Sequence, residues 1–247
     1  MPKPEPMVPN WPAPAGVQAL CTTRTGGLSQ GRYESLNLGD HVGDEPAAVA
    51  GNRRRLQAAL GVRPVFLQQV HGVEVRRLDA TSADGEIADA CFTAESGIAC
   101  TIMVADCLPV LFTDTAGRQV AAAHAGWRGL AAGVLEQTLA SFGPAKVMAW
   151  LGPCIGPKAF EVGAEVKAAF EAQSPSSAAC FRPGGTEHKW LADLPALARQ
   201  RLAARGVADI YGNDGSDAWC TVGNPSRFFS HRRDGVSGRL AACIWKA

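Results

Sequence analysis

The chain has 247 residues, 47% of them hydrophobic, so it is long enough to bury a large core. Its 24 Lys and Arg residues nearly balance 23 Asp and Glu residues, which leaves a formal net charge of +1 at pH 7. The sequence has no basic stripe interleaved with aromatic residues, which argues against a nucleic-acid-binding surface. It also has no run approaching the roughly 20 apolar residues that a membrane span needs.

The first 15 residues are rich in proline and lack an apolar stretch, which argues against a signal peptide. The eight cysteines form no C-x-x-C pair, as expected for buried, reduced thiols in a cytoplasmic protein. The sequence contains no internal repeat and no long linker. It therefore predicts a single domain over residues 1–247, with a Pro-rich arm at about residues 1–15.

Strands and helices alternate irregularly along the chain. The predicted elements, in order, are a strand over 17–24, a helix over 45–60, strands over 64–71, 73–78, 98–105, 110–112 and 120–123, a helix over 128–142, a strand over 146–151, helices over roughly 161–172 and 190–205, and strands around 208–211, 227–231 and 238–245. The apolar runs at 98–105 and 120–123 are typical of strands buried on both faces. Without a regular strand–helix–strand repeat, the pattern predicts an α/β or α+β fold.

Three residues that can bind a metal stand at the ends of predicted strands. His71 lies in Q-V-H-G, Cys107 in A-D-C-L-P-V-L-F and His124 in H-A-G-W-R-G. Two imidazoles and a thiolate form a zinc-type ligand set that leaves one coordination position open for chemistry. The separations of 36 residues (107 − 71) and 17 residues (124 − 107) are not local metal spacings. Two packed imidazoles and a core thiol are therefore the alternative.

Cys107 has a second interpretation, as a nucleophile that His124 activates. A thiolate held by zinc and a thiolate paired with an imidazolium use similar geometry, so the sequence leaves both open. The neighbouring Asp106 points to the opposite face if the chain is extended. It then either orients a histidine or forms an ordinary hydrogen bond at the strand end.

Several arginines are candidates for binding phosphate. Arg128 is predicted in the first turn of a helix, where free N–H groups and the helix dipole favour an anion, with an exposed surface side chain as the alternative. Arg24 in T-T-R-T-G-G and the pair Arg232 and Arg233 in F-S-H-R-R-D-G are further candidates. Among the other cysteines, Cys154 stands out because its loop follows a strand end. The histidines without a comparable setting are His41, His188 and His231.

These phrases, together with L-G-P-x-I-G and F-F-S-x-R-R-D, closely resemble the bacterial YfiH-like family. That family is also called the multicopper polyphenol oxidase or laccase-domain family, and its members are described as purine nucleoside phosphorylases. The resemblance covers about Trp11 to Trp245, and H-A-G-W-R-G is highly specific. It implies a four-layer α/β/β/α sandwich with mixed sheets, shared with a bacterial toxin catalytic domain. It also implies a metal site on His71, Cys107 and His124, with zinc the usual occupant.

The activity that the resemblance implies is phosphorolysis of adenosine, inosine and S-methyl-5'-thioadenosine, with adenosine deamination alongside. Purine nucleosides and phosphate are then the small-molecule partners of a monomer or small homo-oligomer. Two positions depart from the family pattern, since His231 stands where tyrosine is common and Cys154 where alanine is frequent. Neither position belongs to the three-ligand set.

Three other functions use the same residues. A four-copper oxidase needs more imidazoles than the five histidines of one chain, although Cu²⁺ in place of zinc could give oxidase activity in vitro. A metal-free hydrolase would use Cys107 to cleave amides, including those of cell-wall (peptidoglycan) precursors. A zinc-stabilised binding module would need a fourth protein ligand, which no nearby histidine or cysteine phrase supplies.

Overall fold

The computed structural model describes residues 5–247, so the first four residues of the Pro-rich arm lie outside the described residues. The strands are β1 (Val17–Cys21), β2 (Arg63–Phe66), β3 (Val75–Arg77), β4 (Ala90–Thr93), β5 (Ile98–Val104), β6 (Leu108–Asp114), β7 (Val120–Ala125), β8 (Val147–Leu151), β9 (Glu161–Gly163), β10 (Phe181–Pro183), β11 (Lys189–Ala192), β12 (Asp209–Gly212) and β13 (Leu240–Lys246). The helices are α1 (Pro46–Leu60), α2 (Trp127–Ala132), α3 (Val134–Ala140), α4 (Ala164–Glu171), α5 (Leu194–Ala204) and α6 (His231–Asp234). No helix in this described part of the chain is long and apolar enough to cross a membrane.

The strands form two large sheets and one small sheet. The large sheets have the orders β1-β13-β5-β2 and β12-β8-β6-β7-β4-β3, and the small sheet has the order β10-β11-β9. Both large sheets are mixed: β2 pairs parallel with β5, β12 with β8 and β3 with β4, whereas their other pairs are antiparallel. The predicted α/β fold with mixed sheets is therefore confirmed, while the four-layer order stays a prediction.

Strand β5 shows why the apolar runs are continuous. Its successive side chains point to opposite faces of the sheet. Ile102 lies in the apolar cluster that includes Leu111 of the six-stranded sheet, whereas Met103 lies in a different cluster that includes Leu56 of α1. The outer face of the six-stranded sheet packs against α3 and α5 in a third apolar cluster. Because both faces of β5 are covered, every residue of the strand is buried.

Several elements differ from the sequence-based predictions. The helix expected over 128–142 is interrupted at Gly133, whose φ of 106° lies in the left-handed region, and so forms α2 and α3. The helix expected over 190–205 begins only at Leu194, where the Asp193 carboxylate accepts a hydrogen bond from Ala196 N, because β11 occupies the preceding residues. The strand expected around 227–231 is wrong, since Ser230 instead caps the short helix α6.

Candidate metal centre and active site

The three predicted ligands come together where the chain passes from one large sheet to the other. Cys107 lies between β5 of the four-stranded sheet and β6 of the six-stranded sheet. His71 follows β2, the strand that pairs with β5. His124 lies on β7, in register with Pro109 of β6, rather than just beyond the strand end as predicted. The ligand atoms of the three side chains all lie within 4.8 Å of one another.

The backbone is unusual at two positions beside these ligands. His71 has a φ of 61° and Asp106 a φ of 88°, both in a region that residues with a Cβ seldom adopt. At His71 the surrounding hydrogen bonds fix this conformation. Its N–H donates to Asp89 Oδ1 at 2.8 Å, and the N–H groups of Val70 and Gly72 donate to Asp89 Oδ2 at 3.1 and 2.7 Å. One carboxylate therefore holds the whole turn that presents His71.

The same Asp89 carboxylate orients His124. The Nδ1–H of His124 donates to Asp89 Oδ1 at 2.8 Å, in a pair whose residues are 3% and 0% exposed. With Nδ1 occupied, Nε2 is the histidine nitrogen that can serve as a ligand. Burial by itself raises the pKa of Asp89, but hydrogen bonds from His124 and from the Gly72 and Val70 N–H groups outweigh it, so the pKa is lowered.

Asp106 does not orient a histidine, which was one of its two expected roles. Its Oδ1 accepts a hydrogen bond from Thr221 Oγ1 at 2.5 Å, and its Oδ2 accepts one from Arg232 N at 2.7 Å. The carboxylate thereby ties two segments of the C-terminal quarter to the loop that carries Cys107. These contacts agree with its second expected role, which is to form hydrogen bonds at the end of a strand.

Cys107 and His124 have strongly shifted pKa values. Burial raises the pKa of the Cys107 thiol, but the charge of His124 and hydrogen bonds with His124 and His71 together lower it to about 6. Burial lowers the pKa of His124, but the Cys107 charge and the hydrogen bond to Asp89 raise it to about 9. Without a metal ion, the thiolate and the imidazolium therefore stabilise each other at neutral pH.

The distance between the thiolate and one of the imidazoles fits a tetrahedral metal ion. Bonds of about 2.0–2.1 Å to nitrogen and about 2.3 Å to sulfur hold two such ligands roughly 3.5 Å apart. Cys107 Sγ lies 3.6 Å from His71 Nε2. Gly126 supplies the space that this requires, because a Cβ there would lie 2.7 Å from His71 Cδ2 and 3.0 Å from Cys107 Sγ. Two imidazoles and a thiolate suit zinc and copper alike.

The ligands line a cavity of about 440 Å³, a volume within the usual range of about 300–1,000 Å³ for small-molecule sites. Its apolar wall includes Met103, Ile155 and Phe160. Gln69 fixes this wall, since its side-chain amide donates to Met103 O and accepts from Met103 N, both at 2.8 Å. The other polar or charged lining residues, apart from the three ligands, are His41, Asp106, His231, Arg232 and Arg239.

Three of the arginines proposed from the sequence do not line this cavity. Arg128 is exposed, and its guanidinium group lies 4.6 Å from the centre of the Trp127 ring. Arg24 donates to backbone carbonyl groups of two loops. Arg233 pairs with Asp234 at 2.7 Å and donates to three backbone carbonyl groups. Their guanidinium groups thus contact surface or loop atoms rather than the site.

Sequence reasoning missed several residues that do reach the site. Asp89 lies in an otherwise apolar stretch, I-A-D-A-C, and a buried acid among apolar residues is the one signal that marks it. Arg239 directly precedes a strand, His41 stands in no distinctive phrase, and His231 stands in F-S-H-R-R-D-G, where only the arginines are expected to bind a ligand. Cys154, by contrast, is buried beside Asn213, and burial raises its pKa well above that of an ordinary thiol.

Comparisons with known proteins agree over nearly the whole chain. The family of multi-copper polyphenol oxidoreductase laccases matches residues 18–247. A protein of Pseudomonas aeruginosa named purine nucleoside phosphorylase is 51% identical and covers 97% of both chains. Purine nucleoside phosphorylase YfiH of Escherichia coli is also 51% identical, over 97% of this chain and 98% of its own.

Solved structures show the same relationship. A crystal structure of a Neisseria meningitidis protein has a TM-score of 0.92 and 49% identity, over 98% of both chains. YlmD from Geobacillus stearothermophilus has a TM-score of 0.85 and 33% identity, over 94% of this chain and 92% of its own. The chain therefore belongs to the laccase-like YfiH family of multi-copper polyphenol oxidoreductase laccases.

Proposed function

We propose that the protein is a zinc-dependent purine nucleoside phosphorylase acting on adenosine, inosine and S-methyl-5'-thioadenosine, with adenosine deaminase as a side activity. The observation that carries the proposal is the convergence of His71, Cys107 and His124 in a cavity of about 440 Å³. Relatives that bear the name purine nucleoside phosphorylase at 51% identity support it. The proposal treats residues 1–247 as one catalytic domain.

Phosphorolysis forms a bond from a phosphate oxygen to C1′ of the ribose while the bond from C1′ to the purine nitrogen breaks. The base leaves with the electron pair of that bond and takes up a proton. The apolar wall of Met103, Ile155 and Phe160 suits a planar base and excludes water from one side of the cavity. When bound to His71, Cys107 and His124, a zinc ion supplies a Lewis acid with one position available to substrate.

The remaining polar residues of the site hold this arrangement in place. Asp89 keeps His124 in the orientation that turns Nε2 towards the site and fixes the turn that carries His71. Asp106 is a positioning residue in this proposal, because Thr221 and the Arg232 backbone occupy its two oxygens. It connects the C-terminal part of the cavity wall to the Cys107 loop.

The experiment that tests the proposal measures purine release from adenosine, inosine and S-methyl-5'-thioadenosine by the purified protein. It is run with and without phosphate, before and after metal chelation, and after zinc is restored. We expect release that requires phosphate, yields a ribose 1-phosphate, stops on chelation and returns with zinc. In the absence of phosphate, adenosine should yield inosine and ammonia. Purine release that is independent of both phosphate and metal would contradict the proposal.

A cysteine hydrolase is the second candidate, and the Cys107–His124–Asp89 chain favours it. This is the order of nucleophile, base and orienting acid found in covalent hydrolases. The thiolate would attack an amide carbonyl, such as one in a peptidoglycan precursor, and the amine would leave with a proton from the His124 imidazolium. Water would then cleave the resulting thioester to a carboxylic acid and regenerate the thiol. This candidate predicts activity that survives chelation.

Copper-dependent polyphenol oxidation at the same ligands predicts activity only after reconstitution with Cu²⁺.

The substitution Cys107→Ala tests the metal and the activity together. Loss of the thiolate removes one of three ligands, so we expect zinc affinity, phosphorolysis and deamination to fall by at least about 100-fold. Zinc content by mass spectrometry and the purine-release assay check this. The matched control is Cys180→Ala, which removes a buried thiol that does not line the cavity. Full activity of Cys107→Ala would contradict the assignment.

A further inference from the structure

The cavity contains a guanidinium group that is anchored on one side only. Arg239 Nη1 donates to Ser237 O at 2.9 Å and to Gly238 O at 3.2 Å. Within residues 5–247, Nε and Nη2 of Arg239 donate to no protein atom, and no carboxylate lies within ion-pair distance of the group. Since the residue lines the cavity, its remaining N–H groups are available to a ligand there.

The carboxylate that lines the cavity forms no ion pair with this cation among the described residues. Asp106 is the acidic side chain that lines the cavity, and its oxygens already accept hydrogen bonds from Thr221 and from the Arg232 backbone. The Arg232 side chain also lines the cavity, and its Nη1 donates to Glu161 O at 3.0 Å. Two guanidinium groups thus line a cavity with one carboxylate and the Cys107 thiolate, and a bound Zn²⁺ ion would leave the site with net positive charge, which favours an anionic ligand.

The position of Arg239 is fixed by a loop segment over residues 35–39, S-L-N-L-G. Arg239 N donates to Asn37 Oδ1 at 2.8 Å, and the same oxygen accepts from Gly39 N at 2.9 Å. Gly39 lets the arginine stem pass closely, because a Cβ there would lie only 2.7 Å from Arg239 Cγ. The side chain is therefore held before any ligand binds, which lowers the entropy lost on binding.

We propose that Arg239, with Arg232 in the lining of the same cavity, binds the phosphate that the enzyme uses as a substrate. This inference rests on the proposed function, because phosphorolysis needs orthophosphate in the cavity that holds the nucleoside. The planar guanidinium fork offers paired N–H donors that match two phosphate oxygens. Arg128, Arg24 and Arg233, which the sequence also offers as phosphate-binding candidates, do not line this cavity.

The test measures binding of orthophosphate to the zinc-loaded protein by ³¹P NMR, which needs no turnover. Arg239→Gln should raise the Kd for phosphate about 10- to 100-fold, because it removes a charged hydrogen-bond donor. Arg239→Lys keeps the cation without the fork and should give an intermediate loss. The control Arg205→Gln removes an exposed charge at the end of α5 and should bind phosphate like the wild type. Circular dichroism and zinc content confirm folding, and the lysine variant decides the matter if the glutamine variant does not fold.

The outcomes separate this inference from the proposed function. Unchanged phosphate binding in Arg239→Gln, or loss of binding in Arg128→Gln instead, would overturn the inference. Phosphate binding that depends on Arg239 without any purine release would leave the subsite standing and remove the proposed function. Phosphate-dependent purine release with an unchanged phosphate KM in Arg239→Gln would leave the proposed function standing and overturn the assignment of Arg239. Arg239-dependent binding of adenosine 5'-monophosphate but not of orthophosphate would assign Arg239 to a phosphate ester and also overturn the inference.

Discussion

Asp89 holds both histidines of the candidate metal site, although it is not one of the three candidate ligands. It accepts hydrogen bonds from His124 Nδ1 and from the backbone N–H of His71. Asp89→Asn removes the negative charge and replaces one acceptor oxygen with a donor, which disfavours the His124 tautomer that can bind a metal. We expect zinc affinity to fall about 10- to 100-fold, as measured by competition with a chromophoric chelator.

The matched control for this substitution is Asp114→Asn. Asp114 is also buried, and its carboxylate accepts hydrogen bonds from Arg118 and from Gln119 N, but it does not line the cavity. This variant should lose stability without losing zinc affinity. Equal zinc affinity in Asp89→Asn and in the wild type would show that the carboxylate does not set the histidine orientation.

The reactivity of Cys107 should depend on pH in a way that differs from an ordinary thiol. Because its pKa is lowered to about 6, the thiolate form persists at neutral pH and is lost as the pH falls below about 6. In the metal-free protein, alkylation by iodoacetamide should therefore be nearly constant above about pH 7 and fall about tenfold per unit well below pH 6. The other seven cysteines are buried, so the label reports on Cys107. A midpoint near 9, as in the unfolded chain, would contradict the stabilised thiolate.

At the scale of elements, the junction of β7 and α2 gives the site its compactness. Gly126 lies between Ala125, the last residue of β7, and Trp127, the first of α2, directly against two ligand side chains. Gly126→Ala would force His71 or Cys107 to move, since its Cβ would lie 2.7 Å from His71 Cδ2. We expect zinc affinity to drop at least about tenfold, by the same chelator competition.

Gly185→Ala is the control for this effect of side-chain size. Gly185 is exposed, has no positive φ, and its Cβ would meet Glu161 Oε2 at an ordinary 3.5 Å. Zinc affinity and thermal stability should remain those of the wild type. A Gly126→Ala protein that binds zinc normally would mean that the two ligands adjust without cost.

Element types were predicted best where local chemistry determines them. The helix over 45–60 forms as α1, with Pro46 in its first turn and Gly61 just beyond its end. The continuous apolar runs that lead to Cys107 and His124 also form buried strands, as their local composition predicts. Composition predicts a helix over the residues that form strand β11. The pairing of β11 with β9 and β10 is a tertiary contact that composition does not reveal.

At the scale of the whole molecule, the site depends on contacts between distant parts of the chain. Asp106 forms hydrogen bonds with Thr221 and with the backbone of Arg232, which follow it in the chain by 115 and 126 residues, respectively. Such contacts leave no periodic or local signal at Arg239, and at Asp89 the only signal is an acid within an apolar stretch. The ligands themselves were found because each stands in a distinctive phrase. The sequence thus predicts the three residues that the structure brings together as candidate metal ligands, whereas only the assembled sheets reveal the residues that orient them and line the cavity.

The central claim is a metal site with two imidazole ligands, one thiolate and one position left open. Zinc K-edge X-ray absorption on the zinc-loaded protein tests it most directly. We expect one sulfur at about 2.3 Å, two imidazole nitrogens at about 2.0–2.1 Å and one further light atom. Cys107→Ala should lose the sulfur component. A coordination sphere without sulfur, or one with four protein ligands, would contradict the account.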